Sequence, residues 1–303
     1  MRARTPLLLA AFLALGLTAG GVEGARLRVV ASLPDLKALT EAVGGDLVEV
    51  DSLTRGSQNP HDVDIRPSLM LKLRRADLFI RNGAGGDPWV EPLLVGAQNA
   101  RIMPGAAGYV DASRGVPILP PSGPVDRSRG DVHPEGNPHY TLDPANAATV
   151  TANILDGLVR AAPQHASRFQ ARRAEFLGRL EAALAGWQAA LARARGAPVV
   201  SYHETFTYFL RRFGLVQAGV IEDRPGIPPS PSHLAGLVRL MREQGVRVIV
   251  AEPYADRRVV DLVARETGAR VVTLPAAVGG VRGVETYLDL IDFQVRTLAE
   301  ALQ

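Results

Sequence analysis

Residues 164–195 read QHASRFQARRAEFLGRLEAALAGWQAALARAR, and this stretch decides the architecture. Phe169, Phe176, Leu180, Leu184, Trp187 and Leu191 recur at steps of three, four and seven, which puts them on one face of a continuous helix. At 1.5 Å per residue such a helix is about 45 Å long, enough for a rod bridging two lobes. Both flanks alternate short apolar runs with amphipathic segments. On the N-terminal side, 27–32 (LRVVAS), 47–53 and 76–80 read as strands; 34–43, 67–75, 89–98 and a segment from 143 toward 160 read as helices. On the C-terminal side, 198–202, 216–221, 246–251 and 269–274 read as strands; 204–213, 230–243, 256–267 and 285–302 read as helices. This alternation predicts parallel sheets with helical crossovers. The expected fold class is α/β: two lobes, each with a parallel β-sheet flanked by helices, joined by one long backbone helix. The expected N-terminal lobe is 26–162, the linking helix 163–195 and the C-terminal lobe 196–303. Within the first lobe, 112–137 is rich in Pro, Gly, Ser and charge and reads as a surface loop.

The first 25 residues have a different character. Met1-Arg2-Ala3-Arg4 is basic, 7–17 is apolar, and small residues follow as far as Ala25, the order of a cleaved export signal. The expectation is a periplasmic protein with residues 1–25 as signal peptide. The 303 residues include no Cys. That excludes a disulfide framework, a thiolate zinc site, a Cys-held iron–sulfur cluster and a cysteine nucleophile, and it argues against a lipoprotein anchor. The formal charge is only +3. Lys occurs only at Lys37 and Lys72, and the Arg residues are scattered rather than clustered, so no nucleic-acid-binding face is expected.

Any metal must then be held by nitrogen and oxygen, and six histidines are available. Asn59-Pro60-His61 and Asn137-Pro138-His139 repeat one tripeptide in two loops. Proline presets the backbone, so each imidazole hangs on a stiff tether. His203 follows strand 198–202 and precedes a helix, at the edge where open α/β sheets bind ligands. His61, in the loop after the second strand, reaches the same side of its own sheet. The three can therefore converge between the lobes. His133 lies in the surface loop, with solvent exposure as its default and a secondary-ligand role open. His165 and His233 read as surface or capping residues. Three neutral imidazoles with one open position suit Zn²⁺. Imidazole also suits Cu and Ni, whereas Mg and Ca want oxygen. The same set could activate water in a secreted metallohydrolase, with Glu204 or Glu252 as base; against that, HExxH is absent. A metallochaperone or adhesin is a further alternative.

Several motifs carry a family resemblance. Asn-Pro-His followed by Asp-Val-Asp-Ile-Arg-Pro-Ser (59–68), Asn-Pro-His-Tyr-Thr-Leu-Asp-Pro-Ala-Asn-Ala (137–147) and Tyr-His-Glu-Thr-Phe-Thr-Tyr-Phe-Leu-Arg-Arg-Phe-Gly-Leu (202–215) occur in that order. Together with Gly226-Ile227-Pro228-Pro229-Ser230, Ala251-Glu252-Pro253 and Arg265-Glu266-Thr267-Gly268-Ala269, they resemble the cluster A-I solute-binding proteins of metal ABC transporters. The resemblance covers essentially all of 26–303. It implies two parallel-sheet lobes joined by a rigid helix, a metal ion between them, and delivery to a membrane ABC permease by a monomeric carrier. It implies that His61, His139 and His203 are ligands, a set more like the zinc members than the manganese ones, where a carboxylate tends to replace the third histidine. The family usually adds an acid in the loop after the last strand. Here that stretch is Thr273-Leu274-Pro275-Ala276-Ala277-Val278-Gly279-Gly280, with no acid. Glu252, at the edge of strand 246–251, is the candidate fourth ligand; water, Glu222, Asp223, Asp131 and His133 stay open.

Overall fold

A computed structural model describes residues 26–121, 133–224 and 226–303 of the chain. The expected signal peptide, most of the expected loop insertion and Asp131 lie outside the described residues. In the N-terminal half, strands β1 (Leu27–Ala31), β2 (Val48–Ser52), β3 (Leu78–Arg81) and β4 (Tyr109–Asp111) form a parallel sheet in the order β2-β1-β3-β4. In the C-terminal half, β5 (Pro198–Ser201), β6 (Val216–Val220), β7 (Val248–Ala251) and β8 (Arg270–Thr273) repeat that order as β6-β5-β7-β8. In each sheet the second strand lies on one side of the first and the third on the other. Connections therefore diverge between β1 and β3, and between β5 and β7. A crevice opens beyond the carboxyl ends of the strands at such a point.

The helices are α1 (Pro34–Gly44), α2 (Pro67–Arg74), α3 (Val90–Ala97), α4 (Ala147–Ala161), α5 (Ala166–Leu191), α6 (Thr207–Arg212), α7 (Pro231–Gln244), α8 (Arg257–Thr267) and α9 (Tyr287–Ala301). The linking element is α5, with a 3₁₀ turn at each end, Pro163–His165 and Ala192–Ala194. Pro163 fits at that start because a first-turn N–H has no intrahelical partner to lose. The α5 face formed by Phe169, Phe176, Leu180, Trp187 and Leu191 is buried. It packs on α1 and α4 of one lobe and α9 of the other. One continuous core thus runs through both lobes, from Val29, Leu39 and Ile154 past Phe176 to Val250 and Ile291. Separate clusters lie under α2 and α3 on the outer face of the first sheet, and under α7 and α8 on the outer face of the second.

Local chemistry sets the element ends. Gly45, at φ 57°, closes α1, and Gly245, left-handed at φ 65°, closes α7. Ser230 caps α7, its side chain accepting from the His233 N–H at 3.2 Å. Three details differ from the sequence reading. The strand β4 is only three residues long and too short to show a period. The third strand begins at Leu78, two residues later than expected, and the Ala76 carbonyl before it accepts from Asn99 Nδ2 at 2.8 Å. Two 3₁₀ turns, Tyr140–Leu142 and Pro144–Asn146, precede α4, with the Asp143 side chain capping the second through the Ala145 N–H at 2.9 Å. Among the described residues no helix is long and apolar enough to cross a membrane.

Candidate metal centre

The two Asn-Pro-His tripeptides fold alike. Asn59 Oδ1 accepts the His61 N–H at 3.0 Å, and Asn137 Oδ1 accepts the His139 N–H at 2.9 Å. Each is an Asx turn, in which an asparagine side chain substitutes for a backbone acceptor. The proline carbonyls are also held: Trp89 Nε1 donates to Pro60 at 2.9 Å, and Asn82 Nδ2 donates to Pro138 at 3.2 Å. Both donors belong to the β3–α3 connection, so one shelf at the carboxyl edge of the first sheet carries both histidines. That shelf is tightly turned, with Gly83, Ala84 and Gly85 all at positive φ. A Cβ on Gly86 would stand 2.6 Å from the Pro138 ring, so only glycine lets residue 138 approach. Buried Asp87 locks the turn by accepting the Asn82 N–H at 2.7 Å and the Gly83 N–H at 3.2 Å, while pairing with Arg81 at 3.1 Å.

His203 comes from the other lobe, two residues beyond β5 and beside that sheet's divergence point. It is buried, and its Nδ1 lies 3.0 Å from Glu222 Oε2. Glu222 is itself fixed: its N–H donates to the Tyr202 carbonyl at 2.8 Å, and Oε1 accepts the Gly226 N–H at 3.1 Å. His139 Nδ1 faces Asn137 Oδ1 at 2.9 Å. With Nδ1 engaged, the Nε2 of His139 points to the centre, where it meets His61 Nε2 at 3.0 Å. One potential ligand atom from each of His61, His139 and His203 lies within 4.8 Å of the others. Ring centroids are 5.1 Å apart for His61–His139, 5.4 Å for His61–His203 and 5.3 Å for His139–His203.

The remaining candidates fall outside that set. Glu252 follows β7 directly, is 1% exposed, and neither carboxylate oxygen has a hydrogen bond of ordinary geometry among the described residues. Burial raises its pKa, opposed by the His203 ring and the Thr205 hydroxyl. Asp223 faces Arg224 at 3.7 Å, and Glu204 opens the 3₁₀ turn before α6. His133 is not simply solvated: it is part-buried against His61, with ring centroids 4.9 Å apart. His233 Nε2 donates to the Val220 carbonyl at 3.0 Å, and His165 lies against Phe169.

Electrostatics divides the three rings. Burial, then the neighbouring His61, His203 and His133, pushes His139 well below the usual imidazole range. Burial also penalises charge on His203, but Glu222, Glu252 and Glu204 outweigh it and hold its pKa above that range. Sequence reasoning missed the asparagines of the repeated tripeptides, although the repeat itself was their signal. It also missed Asp35, a buried acid of α1 lining the small cavity shared with His61 and His139. Asp35 accepts the Val278 N–H at 2.8 Å, in the acid-free loop after β8, and the Thr141 hydroxyl at 3.2 Å.

The chain is similar in sequence and fold to known metal-binding proteins. A family model described as zinc-uptake complex component A, periplasmic, matches residues 29–301. A putative metal-binding protein of Treponema pallidum is 28% identical over 259 residues, covering 82% of this chain and 79% of that protein. The high-affinity zinc uptake system protein ZnuA of Bacillus subtilis is 25% identical over 288 residues, covering 92% and 89%. The solute-binding protein FpvC of Pseudomonas aeruginosa, solved with Mn²⁺, superposes with a TM-score of 0.80 at 26% identity, covering 92% of this chain and 99% of that one.

Proposed function

The chain belongs to the periplasmic zinc-uptake component A family, whose members are solute-binding transport proteins and not enzymes, and from that premise we propose that it captures a divalent transition metal, zinc first, for delivery to an ABC permease. One observation carries the reading: three imidazoles, two from one lobe and one from the other, bring their donor atoms within 4.8 Å. Two nitrogens on one tetrahedral zinc ion stand about 3.3 Å apart, close to the 3.0 Å between His61 Nε2 and His139 Nε2. An all-nitrogen set suits zinc and its borderline neighbours better than manganese, which prefers oxygen donors. Glu252, a buried carboxylate whose charge acts on the His203 ring, is the acid candidate beside the three imidazoles. In this reading the carrier works in the periplasm as a monomer, and the lobes stay close because one core joins them.

Metal binding requires neutral imidazoles, so protons compete with the ion. The raised pKa of His203 makes that competition begin at a higher pH than for a free imidazole, about 6.5. Affinity for zinc is therefore expected to fall as pH drops from above that value. Saturating metal at 100 Kd stabilises the fold by about 2.7 kcal/mol. Metal analysis of the purified protein beside His61→Ala, His139→Ala and His203→Ala is the test. One ion per chain is expected, lost in each variant; full retention in all three overturns the site. Thermal melts with each ion check the choice: a shift with Mn²⁺ but none with Zn²⁺ overturns zinc.

A further inference from the structure

His133 shares three features with the imidazoles of the proposed site. First, its ring centroid stands 4.9 Å from that of His61, closer than His139 at 5.1 Å or His203 at 5.4 Å. Rings whose nitrogens bind one tetrahedral ion at about 2.0–2.1 Å have centroids about 5 Å apart, so this spacing is that of two ligands to one ion. Second, His133 Nδ1 lies 3.0 Å from the Gly85 carbonyl oxygen. A carbonyl only accepts, so Nδ1 donates, and the neutral ring carries its lone pair on Nε2. Metal-ligating histidines are oriented in this way, the second ring nitrogen donating to a carbonyl or carboxylate. Third, the anchor is on the same β3–α3 shelf: Gly85 stands beside Asn82 and Gly86, which hold and admit Pro138. The Glu135 side chain lies 3.8 Å from where a Gly85 Cβ would be, so the segment carrying His133 runs along that shelf.

We propose that His133 is a fourth imidazole ligand, completing an all-nitrogen tetrahedral shell on the ion bound by His61, His139 and His203. The proposal rests on the capture reading above and deepens it by naming the donor that replaces the acid absent from the loop after β8. Its Nε2 is not yet within the three-histidine set, and its centroid is 6.3 Å from that of His139. Closing the shell therefore needs the His133 ring to move toward His139 and His203. Four nitrogens with no carboxylate favour zinc, nickel or copper over manganese, calcium or magnesium.

The test is the crystal structure of the zinc-loaded protein, together with chelator-competition titrations of wild type and His133→Ala with Zn²⁺. The expected structure has His133 Nε2 at ligand distance from the ion, and the expected titration shows at least a tenfold loss of zinc affinity in the variant with its metal-free melting temperature unchanged. A water or the Glu252 carboxylate in the fourth position, with His133→Ala binding as wild type does, overturns the proposal and leaves the three-histidine site standing. Full metal retention by His61→Ala, His139→Ala and His203→Ala overturns instead the reading on which it rests. Should the variant fail to fold, the zinc-loaded wild-type structure decides alone.

Discussion

Asp35 is the residue with the clearest thermodynamic signature outside the histidines. Burial pushes its pKa up to about 6, against a carboxylate value of 3.8, even though Val278 and Thr141 donate to it. A folded-state pKa above the unfolded one favours the protonated form. The contribution of this group is therefore fully present below about pH 4 and lost as pH rises through about 6. Asp35→Asn removes the charge and keeps an acceptor for Val278. The metal-free variant is expected to gain up to about 3 kcal/mol over wild type at pH 8, with the gain vanishing near pH 4; urea unfolding at both pH values checks it. Asn137 does three jobs: its Oδ1 accepts from the His139 N–H and faces Nδ1, while Nδ2 donates to the Glu204 carbonyl. Asn137→Ala is expected to weaken zinc binding about ten- to a hundredfold, measured by chelator competition. Asn59 holds only the backbone of its histidine, so Asn59→Ala is expected to cost less. The repeated tripeptide was legible in the sequence because it is local. The sequence left His133 only as an open candidate with solvent exposure as its default; that its ring lies 4.9 Å from that of His61 is set by the folded shelf.

At the scale of elements, the glycines of two helices make opposite predictions. Gly178 lies on the exposed side of α5, and a Cβ there meets nothing within 4 Å. Gly178→Ala is expected to stabilise the protein by about 0.5–1 kcal/mol through helix propensity alone. Gly157 lies on the buried side of α4, where a Cβ would stand 2.4 Å from Val110 Cγ2 on β4. The same propensity gain meets an overpacking cost of about 1–3 kcal/mol, so Gly157→Ala is expected to be destabilising by roughly 1 kcal/mol net. Thermal melts of both variants compare them directly; a stabilising Gly157→Ala would show that α4 can lift from the sheet at little cost. The helix periodicity of 164–195 shows which side of α5 is apolar, and five of its six apolar positions are buried. The sequence does not show which glycine is pressed against a strand, since both sit in good helical patterns.

At the scale of the molecule, the lobes are tied by more than the long helix. Tyr287 of α9 donates to the Thr141 carbonyl at 2.5 Å, and Tyr208 of α6 donates to the Asn137 carbonyl at 2.8 Å. Arg212 pairs with Asp143 at 2.6 Å, and Asp35 takes the Val278 N–H across the same boundary. These contacts and the shared core predict a single cooperative unfolding transition, with calorimetric and van't Hoff enthalpies equal. Two resolved transitions would mean that each lobe is stable alone. Zinc is expected to raise the midpoint of that one transition without splitting it. By itself, the sequence determined the parallel α/β class, the bridging helix, the order of the elements other than β4, the absence of thiolate ligands and which three histidines the fold brings together. All of these depend on local periodicity, composition or motif. Tertiary structure alone decided that Glu222 sits against His203, that Asp35 accepts the Val278 N–H of the loop after β8, and that His133 stands beside His61. Each of those contacts joins segments far apart in the chain, and the physical reason is that only the register of the sheets and the packing of both lobes on α5 determine which loop ends meet.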